Sequence, residues 1–459
     1  MKTFIAKNTW LANSDLRLDA SFHLSDGQLT LIAFKKSKIP TEPLNKVTER
    51  IFYGGRSKRA YVNNPENGLP FIKGADIVKA DFSNLKIISR KRTAKLNEYF
   101  LEEGWTLITR SGTIGNTAYV NKDFMGKAAS DDIIRVVPST VPSGFLYAFL
   151  SSKNGKALLT HGTYGAVIQH IEPEHIENIP VPIFFKEKQQ QIHDLISESA
   201  ELRVGANNML KEVESLFIKH LNLDQLATNK FQTGSRKITE IRNSFQVRLD
   251  APAFINHGVK LLESLKKKYS FELLGNCNAK VSRPGIFKRI YVKSGGFPYI
   301  KGSELGLNNP FANCVRLSKT KTPFLDELEL TEDQILITCA GSVGNARIIT
   351  KEFQDQNAIG SQDIIRIKCN SDLFTSEYIY AYLKLPFIFD FIQSLKYGSV
   401  IERVEPFHID QIPVLIPTKE FSELITQKIK LYKNLTYKAF CKESQAIQLV
   451  EKEIEQWQN

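Results

Sequence analysis

The 459-residue sequence predicts a mixed α/β (α+β) fold: two tandem homologous domains joined by two long helices that pair as an antiparallel coiled coil. Three observations carry this. An ordered set of motifs in the first half recurs in the second, at an offset drifting only from about 228 to about 233 residues. Each copy alternates short β-branched runs with glycine turns, the pattern of short strands. Each copy is also followed by a long proline-free stretch whose apolar residues recur at helical spacing.

In the first copy, residues 1–50 open with Leu18-Asp19-Ala20 and end in a polar stretch. GLPFIKGADI (68–77) reads as a strand closed by a glycine turn, and WTLITRSGTIGNTAYV (105–120) as strand, turn, strand. SDDIIRVVP (130–138) is a further strand, GFLYAFLSSKNGKALLT (144–160) a helix, and HIENIPVPI (175–183) a proline-punctuated approach to the long helix. The second copy answers in the same order. Leu249-Asp250-Ala251, KRIYV (288–292) against KRAYV (58–62), GFPYIKGSEL (296–305), LITCAGSVGN (336–345), SQDIIRI (361–367), EYIYAYL (377–383) and VEPFHIDQIPVLI (404–416) each find a match upstream. Seven ordered matches make a tandem pair of domains; two copies are too few for a solenoid.

In residues 186–221 the residues Ile192, Leu195, Leu202, Leu210, Val213 and Phe217 form one stripe; in 420–457 Ile425, Tyr432, Leu435, Ala439, Ala446, Val450 and Trp457 follow a seven-residue rhythm. About 36 residues of helix make a rod of roughly 54 Å, longer than a globular helix needs. The expected divisions are a domain at 1–185, the central helix at 186–221, a linker at 222–245, a second domain at 246–417 and a second long helix at 418–459.

Composition narrows the function. A formal net charge of +12 suits a polyanionic partner, though charge alone is weak evidence. The five cysteines all fall in the second half and never as C-x-x-C, which fits reduced thiols and neither disulfides nor zinc. The opening MKTFIAKNTWLANSD lacks a signal peptide's apolar core, and no apolar run approaches the ~18 residues of a membrane span, so a soluble cytoplasmic protein is expected. There is no phosphate-binding G-x-x-x-x-G-K-[ST], no Pro-Pro, no serine nucleophile elbow and no H-E-x-x-H. His170-Ile-Glu172-Pro-Glu174-His175 has ligand types for a metal, but its copy, Arg403-Val-Glu405-Pro-Phe407-His408, loses a histidine and a carboxylate; a polar loop is expected, and no metal. Asp131-Asp132 becomes Gln362-Asp363, so a shared acid–base pair is not expected either. The chain is expected to be no enzyme.

The contact candidates are basic residues with interleaved aromatics. Lys58, Arg59 and Tyr61 recur as Lys288, Arg289 and Tyr291. Lysine and arginine neutralise phosphates, arginine also grips guanine, and tyrosine stacks or bonds phosphate; the alternative is surface charge beside a core tyrosine. Arg90, Lys91 and Arg92 form a second cluster, with a more dilute RLSKTKT (316–322) in the other copy. The GTIG and GSVG turns, with Thr113 and Ser342 in them, are tight turns whose N–H groups are candidates for phosphate. Arg110 and Ser111 precede the first turn where Cys339 and Ala340 precede the second, which suggests two different ligands.

LITRSGTIGN with SDDIIRVVP, LITCAGSVGN with SQDIIRIKC, and the helix entry IPVPIFFKEKQQQI together resemble the specificity (S) subunit of Type I restriction–modification systems over nearly the whole chain. At the entry, Phe184-Phe185 and Lys188-Gln189 stand where the family commonly has Pro-Pro and Glu-Gln. The KRAYV and KRIYV elements look like a branch found in related S-like subunits of methylation-associated phage-defence systems. The resemblance implies two target recognition domains, each reading half of a bipartite sequence in double-stranded DNA, and a helix pair that sets their spacing. It implies two DNA methyltransferase (M) subunits and restriction/translocase (R) subunits as partners, which would hold the S-adenosylmethionine, ATP and Mg2+. It implies no cofactor in this chain and no membrane. The alternative reading is an electrostatic protein- or membrane-binding scaffold of two repeated domains.

Overall fold

The computed structural model describes residues 20–23, 25–37, 40–56, 58–83, 85–161, 170–223 and 235–458. Leu18 and Asp19 of the opening motif and 224–234 of the expected linker lie outside them. The chain divides into two units, Met1–Val204 with Lys438–Asn459, and Gly205–Tyr437.

In the first unit an antiparallel sheet runs in the order Thr48–Phe52, Ile133–Pro138, Thr106–Thr109, Thr117–Tyr119. Its two inner strands, IIRVVP and TLIT, are buried almost throughout, which explains why they read as continuous apolar runs without alternation. A second sheet runs Tyr61–Val62, Lys86–Ser89, Gly68–Ile72, Ala128–Ala129, its last pair parallel. Thr41–Pro43 pairs with Pro180–Pro182, the segment that leads into the central helix.

The second unit repeats this topology strand for strand. One sheet runs Ala279–Ser282, Ile364–Cys369, Ile335–Thr338, Ala346–Ile348; the other runs Tyr291–Val292, Val315–Leu317, Phe297–Ile300, Ile359–Gly360, again with a parallel last pair. Phe271–Leu273 pairs with Pro413–Leu415.

The single helix expected at 144–160 is two, Ser143–Ser151 and Lys153–His161. Ser152 breaks it: its backbone is extended (φ −66°, ψ 164°) and its hydroxyl donates to the Phe149 carbonyl at 2.6 Å, offering the backbone a partner outside the helix ladder. In the other copy Pro386 does the same job as the first residue of Pro386–Ser394, since proline cannot continue a helix but starts one well.

Each unit takes a segment of both long helices, Lys186–His220 and Lys419–Gln458. In the first unit Ile192, Leu195 and Ile196 share a core with Ala446, Val450, Ile454, Phe145, Phe149 and Phe184. In the second, Val213, Phe217 and Leu221 join Ile425, Ile429, Tyr378 and Tyr382. The pairing is antiparallel, because partner numbers fall as helix numbers rise. Lys188 lies 4.0 Å from Glu453 and Glu198 2.8 Å from Lys442, while Glu212 lies 2.6 Å from Lys428 and the rings of Phe217 and Phe421 are 5.2 Å apart. Buried polar clusters fix the segments. In the first unit Arg203 and Tyr147 both reach Glu443, and burial followed by the Glu443 charge pushes the Tyr147 hydroxyl well above its usual range. In the second, Lys433 meets Asp333, Glu377 at 3.3 Å and Glu332 at 3.9 Å.

One charge sits where an apolar side chain is expected. Arg135, within IIRVVP, is 0 % exposed, and no carboxylate bonds its guanidinium. It donates instead to the carbonyls of Ile133 (3.1 Å) and Ala129 (2.9 Å); Arg366 does the same to Ile364 (2.9 Å) and Gly360 (2.9 Å). Burial lowers both guanidinium pKa values to about 10. Arg135→Met leaves those carbonyls without donors, so urea unfolding should show a loss of about 2–4 kcal/mol, with Arg366→Met acting alike in the second unit. Stability within ~0.5 kcal/mol of wild type would mean the carbonyls find other donors.

Candidate nucleic-acid interface

The glycine turn is locked the same way in both copies. Gly112 and Gly115 have φ of 75° and 74°, and Gly341 and Gly344 have 70° and 92°, a region costly to any other residue here. The Thr109 hydroxyl donates to the Thr113 carbonyl at 2.6 Å and accepts from Asn116 N–H at 3.0 Å; Thr338 pairs likewise with Ser342 O, and with Asn345 N–H at 3.0 Å. The N–H groups of Ile114 and Gly115 bond inside the turn, to Gly112 and Thr109 carbonyls, so they are spent on the turn itself. Thr113 and Ser342 are left exposed at the tip.

Beside the turn lies the acidic segment that the buried arginine clamps. Arg110 N–H bonds Asp132 O at 3.1 Å and Cys339 N–H bonds Asp363 O at 3.3 Å. The Arg59 guanidinium is held over this segment: it pairs with Asp131, bonds Ser130 Oγ at 3.1 Å and Asp132 Oδ2 at 3.4 Å, and lies 5.3 Å from the Phe71 ring centroid. Burial lowers its pKa, but the Asp131 bond and the two aspartate charges outweigh that, so the net shift is upward. Arg289 repeats the arrangement more loosely, 3.9 Å from Asp363 and 5.8 Å from the Tyr299 ring. The aspartate shared by the two copies is thus an anchor for a shared arginine.

Lys58 and Lys288 are exposed, and so are Tyr61 (46 %) and Tyr291 (55 %) on their two-residue strands. Tyr61 is therefore no core residue; Lys86 sits 5.4 Å from its ring. Arg90, Lys91 and Arg92 are exposed in the bend after Lys86–Ser89. The dilute second copy does have counterparts: strand register equates Ser89 with Ser318, so Arg90 and Arg92 match Lys319 and Lys321. Both bends are closed alike, Thr93 to Ser89 O at 2.7 Å and Thr322 to Ser318 O at 2.6 Å. Pairing register, which needs the sheet, was the missing signal.

Arg110 stands apart from the exposed set. It is 4 % exposed, bonds Glu172 Oε2 through Nε at 3.1 Å and Glu172 Oε1 through Nη2, and lies 4.3 Å from the Tyr53 ring. The second copy has Cys339 there, yet the glutamate keeps an arginine: Arg283 lies 3.2 Å from Glu405. Strand register gives Arg283 the position that Tyr53 holds in the first copy, so both copies keep the ion pair, with the guanidinium at the end of a strand two places along the sheet. The difference before the turns is a compensated swap in the core, and the reading of it as a mark of two ligands is corrected on this ground. Ser111 bonds Asp132 Oδ1 at 3.3 Å and His170 Nδ1 at 3.1 Å, also toward its own fold.

The Glu-Pro-x-His motif is a helix cap. Glu172 and Glu405 begin the short helices Pro173–Ile176 and Pro406–Asp410, and their N–H groups donate to Nδ1 of His175 (2.9 Å) and His408 (3.0 Å). Among the described residues no three metal-ligating side chains converge, and no helix is long and apolar enough to cross a membrane.

A sequence profile described as the Type I restriction modification DNA specificity domain matches residues 53–215 and again 277–445. Among solved structures, the chain is similar to a Type I restriction-modification system S subunit from M. genitalium, with 14% identity over 90% of this chain and 96% of that one, at a TM-score of 0.38. It is also similar to the HsdS subunit from Thermoanaerobacter tengcongensis, with 13% identity over 91% and 96%, at a TM-score of 0.27. A search of curated proteins finds no match. Family membership rests on the two matched stretches of sequence, not on these shallow structural overlaps.

The His408 cap generates a pH prediction. Burial lowers the His408 pKa, with Arg248 acting the same way and Glu405 opposing. The folded chain then binds fewer protons here than the unfolded chain, so stability present above the unfolded value of about 6.5 is lost as pH falls toward the folded one. Glutamine at this position still accepts the Glu405 N–H and does not titrate. Between about pH 7 and pH 5 the Tm of wild type should therefore fall further than that of His408→Gln; parallel curves would remove His408 from the account.

Proposed function

The chain belongs to the Type I restriction modification DNA specificity family, and on that footing we propose that it reads a bipartite duplex sequence, one half-site per unit. As a member it supplies DNA specificity and is not itself the catalyst. The observation that carries the bipartite reading is a repeated scaffold with unlike contact residues. Both units expose a tyrosine on the same short strand and a lysine three residues before it, at Tyr61 and Lys58 and at Tyr291 and Lys288, with an arginine between held by an aspartate. Around that common set, Thr113 in one copy corresponds to Ser342 in the other, and Arg90-Lys91-Arg92 to Lys319-Thr320-Lys321. Shared cations suit the phosphates, which look alike everywhere; unlike side chains suit base edges, which do not.

Methyltransferase subunits dock on this chain, with restriction/translocase subunits beyond them, and S-adenosylmethionine, ATP and Mg2+ belong to those partners. The long helices set the spacer between half-sites. The deciding experiment exchanges residues 1–185 for those of a relative, which leaves both long helices intact, and maps methylated sites in a host with the partner subunits. One half-site should change and the other stay. An unchanged motif sinks the reading. DNA binding indifferent to Arg59→Ala with Arg289→Ala, together with lost partner binding, would favour the protein-binding scaffold.

A second prediction concerns the spacer. Four residues inserted near Ala206, with four more near Leu435, whose side chain lies 3.5 Å from where a Gly205 Cβ would stand, add ~6 Å of rise and little net rotation. The recognised half-sites should move apart by about one to two base pairs, at ~3.4 Å per pair. An active, assembled variant with the original spacer would rule the helices out as its determinant.

A further inference from the structure

The segment Tyr397–Arg403 of the second unit carries two aliphatic side chains that the fold leaves in solvent: Val400 is 92 % exposed and Ile401 55 %. The tip is built rather than loose. Tyr397 N–H donates to Arg403 O at 3.0 Å and Arg403 N–H to Tyr397 O at 2.9 Å, closing a small hairpin. Gly398 turns it at φ 99°, with Ile401 O 2.6 Å from where a Cβ would stand, so no other residue fits. The Tyr397 ring stacks on His408 at 5.4 Å and its hydroxyl donates to Glu405 at 3.0 Å, while Lys396 pairs with Glu402 across the base. Arg403 also bridges Ala340, and Val404 N–H bonds Cys339 O at 3.0 Å, which seats the hairpin beside the glycine turn and its exposed Ser342.

Single exposed aliphatic residues are ordinary. Two adjacent ones on a braced tip are less so, and the first copy spells the tip again: Tyr164-Gly165-Ala166-Val167-Ile168-Gln169 against Tyr397-Gly398-Ser399-Val400-Ile401-Glu402. Residues 162–169 lie outside the described ones, so that comparison is one of sequence.

We infer that Val400 and Ile401 form an apolar wedge that seats against base and sugar edges in a groove of duplex DNA, without reading sequence. The inference rests on the DNA-reading role proposed above. Two copies that read different half-sites cannot discriminate through side chains they share, so the shared Val-Ile pair positions while the unlike residues specify. The occupant is nucleic acid because the tip is seated on Cys339 and Ala340 beside the glycine turn, and the Cys339 N–H bonds the backbone of Asp363, whose carboxylate pairs with Arg289; an aliphatic wedge near a cationic phosphate contact suits a groove. Removing an apolar contact releases no counterion, which separates this role from that of the arginines.

The test is binding of the full chain, carrying Val400→Ser with Ile401→Ser, to a random-sequence duplex pool at several salt concentrations. Both residues are exposed, so the melting curve should match wild type. Affinity should drop roughly tenfold or more, the slope of log affinity against log salt should hold, and the sequences recovered from the pool should not change. Wild-type affinity, a shallower salt slope or an altered set of recovered sequences would each overturn the wedge. So would intact DNA binding with lost assembly onto methyltransferase subunits, which would assign the tip to a protein. Absence of duplex binding by the wild-type chain would overturn the DNA-reading role itself, an outcome distinct from the others.

Discussion

A guanidinium buried in a sheet, and held by carbonyls instead of a carboxylate, is the interaction on which each unit's exposed face depends. Arg135 grips Ala129 and Ile133, and Arg366 grips Gly360 and Ile364, so each closes the turn at the start of its own strand. That turn carries Asp131-Asp132 or Gln362-Asp363. The aspartates hold Arg59 and Arg289, and the backbone of the same turn bonds the residue before the glycine turn. A charge is costly inside a protein, and here burial brings its pKa down to about 10. What the cost secures is rigidity at a turn that an apolar side chain could not cross-link.

The two units show how much of a recognition face must stay fixed. The turn glycines, the threonine that locks them and the Glu-Pro-x-His cap recur with the same bonds, and the aspartate–arginine pair recurs more loosely. Where they differ in the core, the difference is repaired: Arg110 beside Tyr53 becomes Cys339 beside Arg283, and the glutamate keeps its cation. Burial pushes the Cys339 thiol pKa up, as expected of a side chain filling space. Differences that need no repair are at the exposed tips, at Thr113 and Ser342 and along the basic bends. A scaffold kept by its own hydrogen bonds leaves those tips free to vary.

Each domain also needs the helices. The stripes of Lys186–His220 and Lys419–Gln458 are completed by globular cores, Ile192 and Val450 with Phe145 in one unit, Phe217 and Ile425 with Tyr378 in the other. A helix fragment that buries one face on a partner helix and another on a domain cannot shift by a turn without losing both contacts. Polar clusters at Glu443 and Lys433 add a directional lock to that apolar fit.

The sequence by itself determined the duplication, the two long helices, the buried inner strands beside the glycine turns and the positions of those turns. These follow from local rules: apolar spacing, β-branched runs, and backbone angles that only glycine adopts cheaply. It also marked Lys58, Arg59, Tyr61 and their counterparts as surface candidates. The tertiary structure alone decided which charges face outward. Arg110 and Arg59 look equivalent on paper, yet one is inside against Glu172 and the other lies on the face above Asp131. Arg135 reads as a break in an apolar strand and is the clamp; Arg283 reads as nothing and replaces Arg110. The physical reason is that a buried ion pair or carbonyl clamp joins atoms brought together by sheet register from distant parts of the chain, and no local pattern in the sequence records that register.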